Sequence, residues 1–272
     1  MLQSPDRKGG GDPVHARSSR SRFCSSGSRA SVRKCKNRTP NKKTMTEQRR
    51  EQLKKLEDEI VSCHKCPRLV EWREQKADEK RAAYADQTYW GKPVPGIGDP
   101  EAELVLVGLA PGAHGANRTG IQFGGDSSGE WLYRALYRAG YADRPDWEDV
   151  MLDNCWITAA VRCAPPENRP KADERKNCRP YLERELDLLA DKRAILALGG
   201  YAYRHVLRIY RDRDYDVPSP IPDFEHNSSY SLGEIAPRLF VSYHPSQQNT
   251  FTGVLTEDAF DQVFENVNAF LA

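Results

Sequence analysis

Short apolar runs alternate with longer amphipathic stretches along residues 46–272. Four runs rich in Leu, Val, Ile and Ala predict buried strands at residues 104–109, 155–161, 194–198 and 239–243. The spacing of apolar residues predicts helices at residues 46–62, 127–140, 173–190, 201–210 and 256–271. Short strands that alternate with helices favour a parallel sheet covered on both faces. We therefore predict an α/β fold, a three-layer α/β/α sandwich with a central four-stranded parallel sheet.

The most unusual residues follow the four predicted strands. The loops read GLAPGAHGANRTG after the first strand, RCAPPENRP after the second, LGGYA after the third and HPSQQNTFTG after the fourth. In an open parallel sheet, ligands bind beyond the carboxyl ends of the strands. We therefore expect the four loops to meet at one edge of the sheet and to form a single site.

The loop after the first strand is rich in glycine but matches no common phosphate-binding motif. Residues 104–126 contain six glycines, without a following Gly-Lys-Ser/Thr and without a regular G-x-G-x-x-G. Phe123 either stacks on a planar ligand ring or packs against the next helix. Asp126 either caps that helix or acts on a water molecule or a cation. His244 directly follows the fourth strand, so its imidazole is well placed to reach the same ligand.

Four of the seven cysteines have a spacing that is typical of metal ligands. Cys63 and Cys66 form a Cys-x2-Cys pair, and 14 residues separate Cys163 from Cys178. Four thiolates suit either zinc or an iron–sulfur cluster, and the wide second spacing favours the larger cluster. The alternative is four unrelated free thiols. Cys155 lies in an apolar strand, where we expect an ordinary buried side chain.

Taken together, these motifs resemble those of the uracil-DNA glycosylase superfamily, most closely family 5, the UDGb type. The resemblance covers about residues 60–270 and is carried by GLAPGAHGANRTGIQFGGD, VRCAPPENRP, HPSQQNTFTG and the four cysteines. Leu109 stands where family 4 has an acidic residue. The resemblance implies a DNA repair glycosylase that hydrolyses the N-glycosidic bond of uracil by base flipping and water attack. It also implies action on other deaminated bases, such as hypoxanthine and xanthine.

The resemblance further implies roles for individual residues. The implied catalytic residues are Asp126, His244 and Asn168. The residues implied to hold the base are Phe123, Gly108, Ala110 and Gly112. The residues expected to contact DNA are Arg118, Gln247 and Asn249. The implied ligands of a 4Fe–4S cluster are Cys63, Cys66, Cys163 and Cys178.

The net charge of +2 conceals an uneven distribution along the chain. Residues 1–44 carry 12 Lys and Arg against two Asp, a net charge of +10, so residues 45–272 have a net charge of −8. A broadly basic DNA-binding surface is therefore not expected in the main domain. We expect local clusters instead, formed by Arg118, Arg162, Arg169, Lys171 and the QQNTFTG segment.

The first 44 residues have few large apolar side chains and are predicted to be a disordered basic tail, followed by one glycosylase-like domain over residues 45–272. The tail is interpreted as a phosphate-binding arm, a targeting peptide or an upstream extension of a chain that begins at Met45. No apolar run approaches the ~20 residues of a membrane span. We expect a monomer in the prokaryotic cytosol or nucleoid.

Two other classes of function stay open from the sequence. The first is a catalytically silent nucleic-acid-binding module of the same fold. The second is a zinc-containing metabolic enzyme that uses the glycine-rich loop to hold a phosphate. Excision of uracil from DNA would distinguish the glycosylase from the silent module. The identity of the bound metal would distinguish it from the zinc-containing enzyme.

Overall fold

A computed structural model describes residues 42–272, with side-chain surroundings from residue 45 onward. The helices of this part are α1 Lys42–Val61, α2 Pro67–Glu79, α3 Ala116–Thr119, α4 Ser127–Arg138, α5 Ala172–Leu188, α6 Gly200–Arg211, α7 Gln247–Phe251 and α8 Glu257–Leu271. Within the described chain, no helix has the length and apolar character needed to cross a membrane.

One sheet forms the centre of the domain. Its strands are β1 Ile97–Gly98, β2 Leu104–Gly108, β3 Cys155–Ala159, β4 Ala194–Leu198, β5 Ser229–Tyr230 and β6 Arg238–Ser242, in the order β1-β3-β2-β4-β6-β5. Neighbours among β3, β2, β4 and β6 pair in parallel, whereas β1 and β5 pair antiparallel at the two edges. The α/β class is confirmed. The sheet is mixed and six-stranded rather than four-stranded, because two-residue edge strands leave no periodic signal in the sequence.

Helices cover both faces of the sheet, and successive residues of β2 show this directly. Leu104 and Leu106 are buried on one face, in a core shared with Leu132 of α4 and Phe260 of α8. The alternate residues of β2 lie in the opposite core, which is shared with Leu186 of α5 and with α6. Every residue of β2 is buried, which is why its sequence is a continuous apolar run rather than an alternating one. Each such buried aliphatic side chain contributes about 1.5–3 kcal/mol of transfer free energy.

The N-terminal helices α1 and α2 pack beside the sheet in a third, smaller core. Leu56 and Ile60 of α1 and Leu69 of α2 are buried there, together with Cys163 and Cys178. Sequence analysis did not assign α2, which begins with a proline at a position that proline favours. This core brings the two distant pairs of cysteines into one region.

Two boundaries differ from the predictions. The expected disordered tail lies outside the described residues up to residue 41, but α1 begins at Lys42, so the last three residues of that segment are helical. The helix predicted at residues 173–190 is α5, Ala172–Leu188, which continues through Pro180. The missing proline N–H removes one helical hydrogen bond, a loss that the surrounding packing tolerates here.

Candidate active site

A pocket of about 270 Å³ lies beyond the carboxyl ends of β2 and β6. Its wall contains residues from the loops after β2, β3 and β6, as expected for ligand sites of parallel sheets. The wall residues that the sequence had singled out are Ala110, Gly112, Phe123, Asp126, Asn168 and His244. The structure therefore brings the predicted catalytic residues and most of the predicted base-holding residues together.

Phe123 and His244 lie against each other in this pocket. Their ring centroids are 5.6 Å apart and the ring planes differ by 29°. The predicted convergence of the loops after β2 and β6 is thus confirmed. Gly108, at the end of β2, lies beneath the Phe123 ring, because a Cβ at this glycine would be 2.8 Å from Phe123 Cζ. Gly108 does not line the pocket itself; it provides the space that the ring occupies.

The backbone of Phe123 has a left-handed conformation, with φ of +57°. A bulky residue adopts this conformation only when its surroundings hold it there. The preceding residue provides the restraint: the Gln122 backbone carbonyl accepts a hydrogen bond of 2.7 Å from the Tyr133 hydroxyl, and the Gln122 side-chain amide donates one of 3.1 Å to the Val94 carbonyl. The loop therefore presents the Phe123 ring from a fixed backbone.

Asp126 has the first of the two roles that the sequence left open, that of a helix cap. Its Oδ1 accepts a hydrogen bond of 3.0 Å from the Gly129 amide and so caps α4. Its Oδ2 lies against Gly112 and Gly115, where any Cβ would collide with the carboxylate. Burial raises the pKa of Asp126, an effect that hydrogen bonds from the first turn of α4 oppose. The carboxylate is thus fixed in the pocket wall with one oxygen committed to the helix.

His244 is held as a neutral imidazole. Burial lowers its pKa to about 4. Its carbonyl oxygen accepts a hydrogen bond of 2.8 Å from the Asn249 side-chain amide, which fixes the loop after β6. The preceding residue is also fixed, since the Tyr243 amide donates to His226 Nδ1 over 3.1 Å. A neutral imidazole in this position can donate one hydrogen bond without adding a charge.

Asn168 reaches the pocket from the loop after β3. It is exposed and follows Glu167, and both have left-handed backbones, with φ of +55° and +53°. Asparagine tolerates this conformation, whereas glutamate adopts it at a cost.

The predicted DNA contacts need correction. Arg118 is buried, and its guanidinium donates to the His114 carbonyl, the Gln87 side chain and the Gly125 carbonyl, so it holds the glycine-rich loop together. Arg162 is buried as well, in an ion pair with Glu185.

Of the other predicted DNA contacts, three are exposed, and the fourth, Asn249, holds a loop. Gln247, Arg169 and Lys171 are exposed. The side-chain nitrogen of Asn249 is already engaged with His244, so this residue shapes the loop after β6. The predictions for Arg118 and Arg162 were wrong because a charge count along the chain does not indicate which arginines fill interior gaps.

An open groove of about 740 Å³ adjoins the pocket and shares part of its wall, including Asp126 and Asn168. Sequence analysis had not assigned the residues at its α2 end, which are Trp72, Arg81, Tyr84 and His114. His114 lies within the quoted motif GLAPGAHGANRTG, but nothing in the sequence distinguished it from a structural residue. Trp72 belongs to α2, the helix that the periodicity did not reveal.

The four cysteines Cys63, Cys66, Cys163 and Cys178 line a small cavity between α1, α2, α5 and the loop after β3. Three of the sulfur atoms accept hydrogen bonds: Cys163 from Arg73 Nη1 at 3.2 Å, Cys178 from the Arg162 backbone amide at 3.2 Å, and Cys66 from the Asn177 side-chain amide at 3.5 Å. Among the described residues, no group of three or more Cys, His, Asp or Glu is arranged to hold a metal ion as it stands. Cys155, the first residue of β3, is a buried side chain of the sheet core, as predicted.

Arg73 is the unusual feature of this region. The side chain is 1% exposed, and its Nε has no hydrogen-bond partner among the described residues. Within residues 45–272, its one carboxylate partner is the exposed Glu74, at 3.5 Å. A buried cation is costly unless negative charge lies near it. The donor set therefore fits a group of negative charge held by the four sulfurs.

Comparisons with known proteins agree with the fold and the pocket. Residues 95–268 match the family model of the Uracil DNA glycosylase superfamily, and the chain belongs to this superfamily. It is 50% identical over 210 residues to a type-5 uracil-DNA glycosylase of Mycobacterium bovis, covering 75% of this chain and 76% of that protein. It is 45% identical to a type-5 uracil-DNA glycosylase of Thermus thermophilus, covering 75% and 91%.

Similarity to type-4 proteins is lower. A type-4 uracil-DNA glycosylase of Sulfurisphaera tokodaii is 29% identical over 195 residues, covering 71% of this chain and 74% of that protein. The higher identity to the type-5 proteins agrees with the family-5 resemblance that the motifs had indicated, including Leu109 in the first motif.

Proposed function

We propose that this protein excises uracil from DNA by hydrolysing the bond between the base and the sugar. The observation that carries the proposal is the meeting of Phe123, Asp126 and His244 in one pocket of a uracil DNA glycosylase superfamily member. The type-5 relatives, which carry the name uracil-DNA glycosylase, support the same reaction.

Access to the bond requires the nucleotide to leave the duplex. A stacked base cannot reach a pocket of this kind, so the nucleotide is flipped out, at a cost of a few kcal/mol. The ring of Phe123 then stacks on the base, an interaction of about 1–3 kcal/mol. The 78% exposed Phe251, at the end of α7, is placed to fill the gap left in the base stack.

Bond cleavage places negative charge on the departing base and positive charge on the sugar. His244 donates a hydrogen bond to the base oxygen on which the negative charge develops. Because its pKa is lowered to about 4, it acts as a neutral donor near pH 7. Asp126 faces the sugar, where its carboxylate orients the attacking water and stabilises the developing cation. Asn168 contributes polar contacts to the base from the loop after β3.

The same pocket suits other deaminated bases, and we include hypoxanthine and xanthine in the proposal. Stacking on Phe123 requires only a planar ring, so it does not separate one base from another. The pocket also opens into the adjoining groove, through walls that both cavities share, which leaves room for a purine. We expect the protein to act as a monomer in the prokaryotic cytosol.

We further propose that the four cysteines bind a 4Fe–4S cluster. Such a cluster supplies a covalent link between distant segments, here Cys63 and Cys66 before α2 and Cys163 and Cys178 around α5. The N–H donors to three of the sulfurs support thiolate ligands, since hydrogen bonds to cluster sulfurs are a common stabilising feature. Arg73 balances the negative charge of the bound group from within the core.

Excision is tested on duplex DNA with a single uracil, using the full chain and the variant Asp126→Asn. Asparagine retains the helix cap, so the variant isolates loss of the carboxylate. We expect wild-type protein to release uracil and the variant to be slower by about 10²- to 10⁴-fold, with DNA affinity unchanged. Binding without release by the wild type would favour the non-catalytic module instead.

The metal is tested by elemental analysis and visible absorption of protein purified without oxygen. We expect about four iron atoms per chain and a coloured protein. A colourless protein that contains zinc would contradict the cluster and would favour the zinc-containing metabolic enzyme.

A further inference from the structure

The α2 end of the groove presents hydrogen-bond donors that have no acceptor. Trp72 lines the groove, and its indole N–H is buried without a partner among the described residues. Arg81 lines the groove, is exposed, and takes part in no ion pair of the described chain. His114, from the glycine-rich loop, lies at the same end.

The Tyr89 hydroxyl can act as the donor to His114, an arrangement that leaves the imidazole proton on Nε2. The Tyr89 hydroxyl accepts a hydrogen bond of 3.2 Å from the Arg81 amide. Its own proton is therefore free to be donated to His114 Nδ1, 3.1 Å away. A neutral imidazole that accepts at Nδ1 carries its hydrogen on Nε2. The groove-lining side chain thus offers an N–H donor.

The charges around His114 are mainly positive. Burial lowers the pKa of His114, and the nearby Arg81, Lys76 and Arg118 add to this effect, whereas Glu79 opposes it. Glu79 pairs with Lys76 at 2.5 Å, and Arg118 donates only to uncharged oxygens. Two of the three cations are therefore left without a carboxylate partner. The acidic residues of the groove are Asp126 and Glu130, at the start of α4, and Glu167, from the loop after β3.

We propose that Trp72, Arg81 and His114 bind a backbone phosphate of the DNA strand that carries the flipped nucleotide. N–H donors beside the exposed Arg81 guanidinium suit a phosphodiester, which has acceptor oxygens and one negative charge. The position of His114 also supports a phosphate as the ligand, because the neighbouring Gly115 lies against the Asp126 carboxylate. A nucleotide whose sugar faces Asp126 has a phosphate on either side of that sugar. This inference rests on the proposed function, which supplies the DNA strand.

The experiment measures DNA affinity across a salt series for wild-type protein, Arg81→Gln and His114→Phe. The DNA contains one 2′-fluorinated deoxyuridine, which resists cleavage, so that binding is separated from excision. The logarithm of affinity falls with the logarithm of salt concentration by about 0.9 for each phosphate contacted. We expect Arg81→Gln to reduce that slope by about one contact. We expect His114→Phe to weaken binding with a smaller change of slope.

Lys55→Gln is the matched control, because Lys55 is an exposed cation of α1 that pairs with Glu51 and does not line the groove. Its slope should equal that of the wild type. Slopes that are the same for Arg81→Gln, Lys55→Gln and the wild type would overturn the assignment.

The phosphate is located by replacing the phosphates around the uracil, one at a time, with uncharged methylphosphonates. At one position, we expect the losses from the neutral phosphate and from Arg81→Gln to be non-additive, as for groups in contact. Additive losses at every position would also overturn the proposal. Wild-type excision of uracil is recorded separately, so that failure of the phosphate site is distinguished from failure of the proposed function.

Discussion

At the scale of single residues, burial shifts the pKa values of Asp126 and His244 in opposite directions. In both groups it favours the neutral form. Burial raises the pKa of the carboxyl and lowers that of the imidazole to about 4. Burial penalises the charged form of either group. The consequence for the proposed reaction is a neutral imidazole beside a carboxyl group that keeps its proton to a higher pH than an ordinary aspartate does.

The pH dependence of excision follows from this pair. Single-turnover rates should fall on the acid side as Asp126 gains a proton, with a midpoint above that of an ordinary aspartate. No change in rate near the ordinary histidine pKa of about 6.5 is expected, because His244 is already neutral there. A rate profile measured across this range, with an acid limb centred near pH 6.5 that disappears in a His244 variant, would contradict the neutral imidazole.

At the scale of elements, the loop after β3 is strained, whereas β3 itself is fully buried. Glu167 has a left-handed backbone with φ of +53°, and it is exposed. Its side chain lines the groove but has no role in the proposed reaction. Strain in this loop is therefore a cost that a suitable substitution can remove.

Glu167→Gly should stabilise the protein. Relief of an unfavourable φ exceeds the greater entropy of a glycine in the unfolded chain, with a net gain of about 1 kcal/mol. Chemical denaturation measures the gain, and excision should be retained. Asn168→Gly is the comparison: it should stabilise less, since asparagine tolerates this φ, and it should lose excision. Equal stability of Glu167→Gly and the wild type would show that the loop is not strained.

A second prediction for elements concerns the link between the α2 region and α5. Cys163→Ala should lower the free energy of unfolding by about 4 kcal/mol, because it removes a proposed cluster ligand. Cys155→Ala removes one buried atom and should cost only about 1 kcal/mol. Denaturation and iron content are measured for both variants. Equal losses, with iron retained in Cys163→Ala, would remove this cysteine from the ligand set.

At the scale of the whole molecule, buried histidines make stability depend on pH. His205, on α6, has a pKa lowered to about 4 by burial, with three nearby arginines adding to the effect, and its Nε2 has no partner in the described chain. Like His244, it is protonated only in the unfolded chain between about pH 6.5 and pH 4. The unfolded state binds more protons in that window, so stability rises with pH through it.

His205→Leu should flatten this dependence. Each of the two histidines lowers wild-type stability by about 1–2 kcal/mol between pH 7 and roughly pH 5. Urea denaturation of the variant at the two pH values should show a loss smaller by that amount. A loss equal to that of the wild type would mean that His205 is accessible to protons in the folded state.

The sequence by itself determined the α/β class, the inner strands and the loops that form the site. It did so because buried strands are continuous apolar runs and because GLAPGAHGANRTG and HPSQQNTFTG fall immediately after such runs. The strand at 194–198 was predicted with the bounds of β4, Ala194–Leu198. Phe123, Asp126 and His244 were likewise identifiable from their places relative to the strands.

Only the tertiary structure decided which polar residues are available to a ligand. Arg118 and Arg162 look like surface cations in the sequence, yet one ties a loop together and the other lies in a buried ion pair. Trp72 and Arg81 look unremarkable, yet folding places them in one groove with His114. Local periodicity depends only on neighbouring residues, so the helices and strands can be predicted from the sequence. Burial and hydrogen-bond partners depend on residues distant in the chain, so they cannot be predicted in this way.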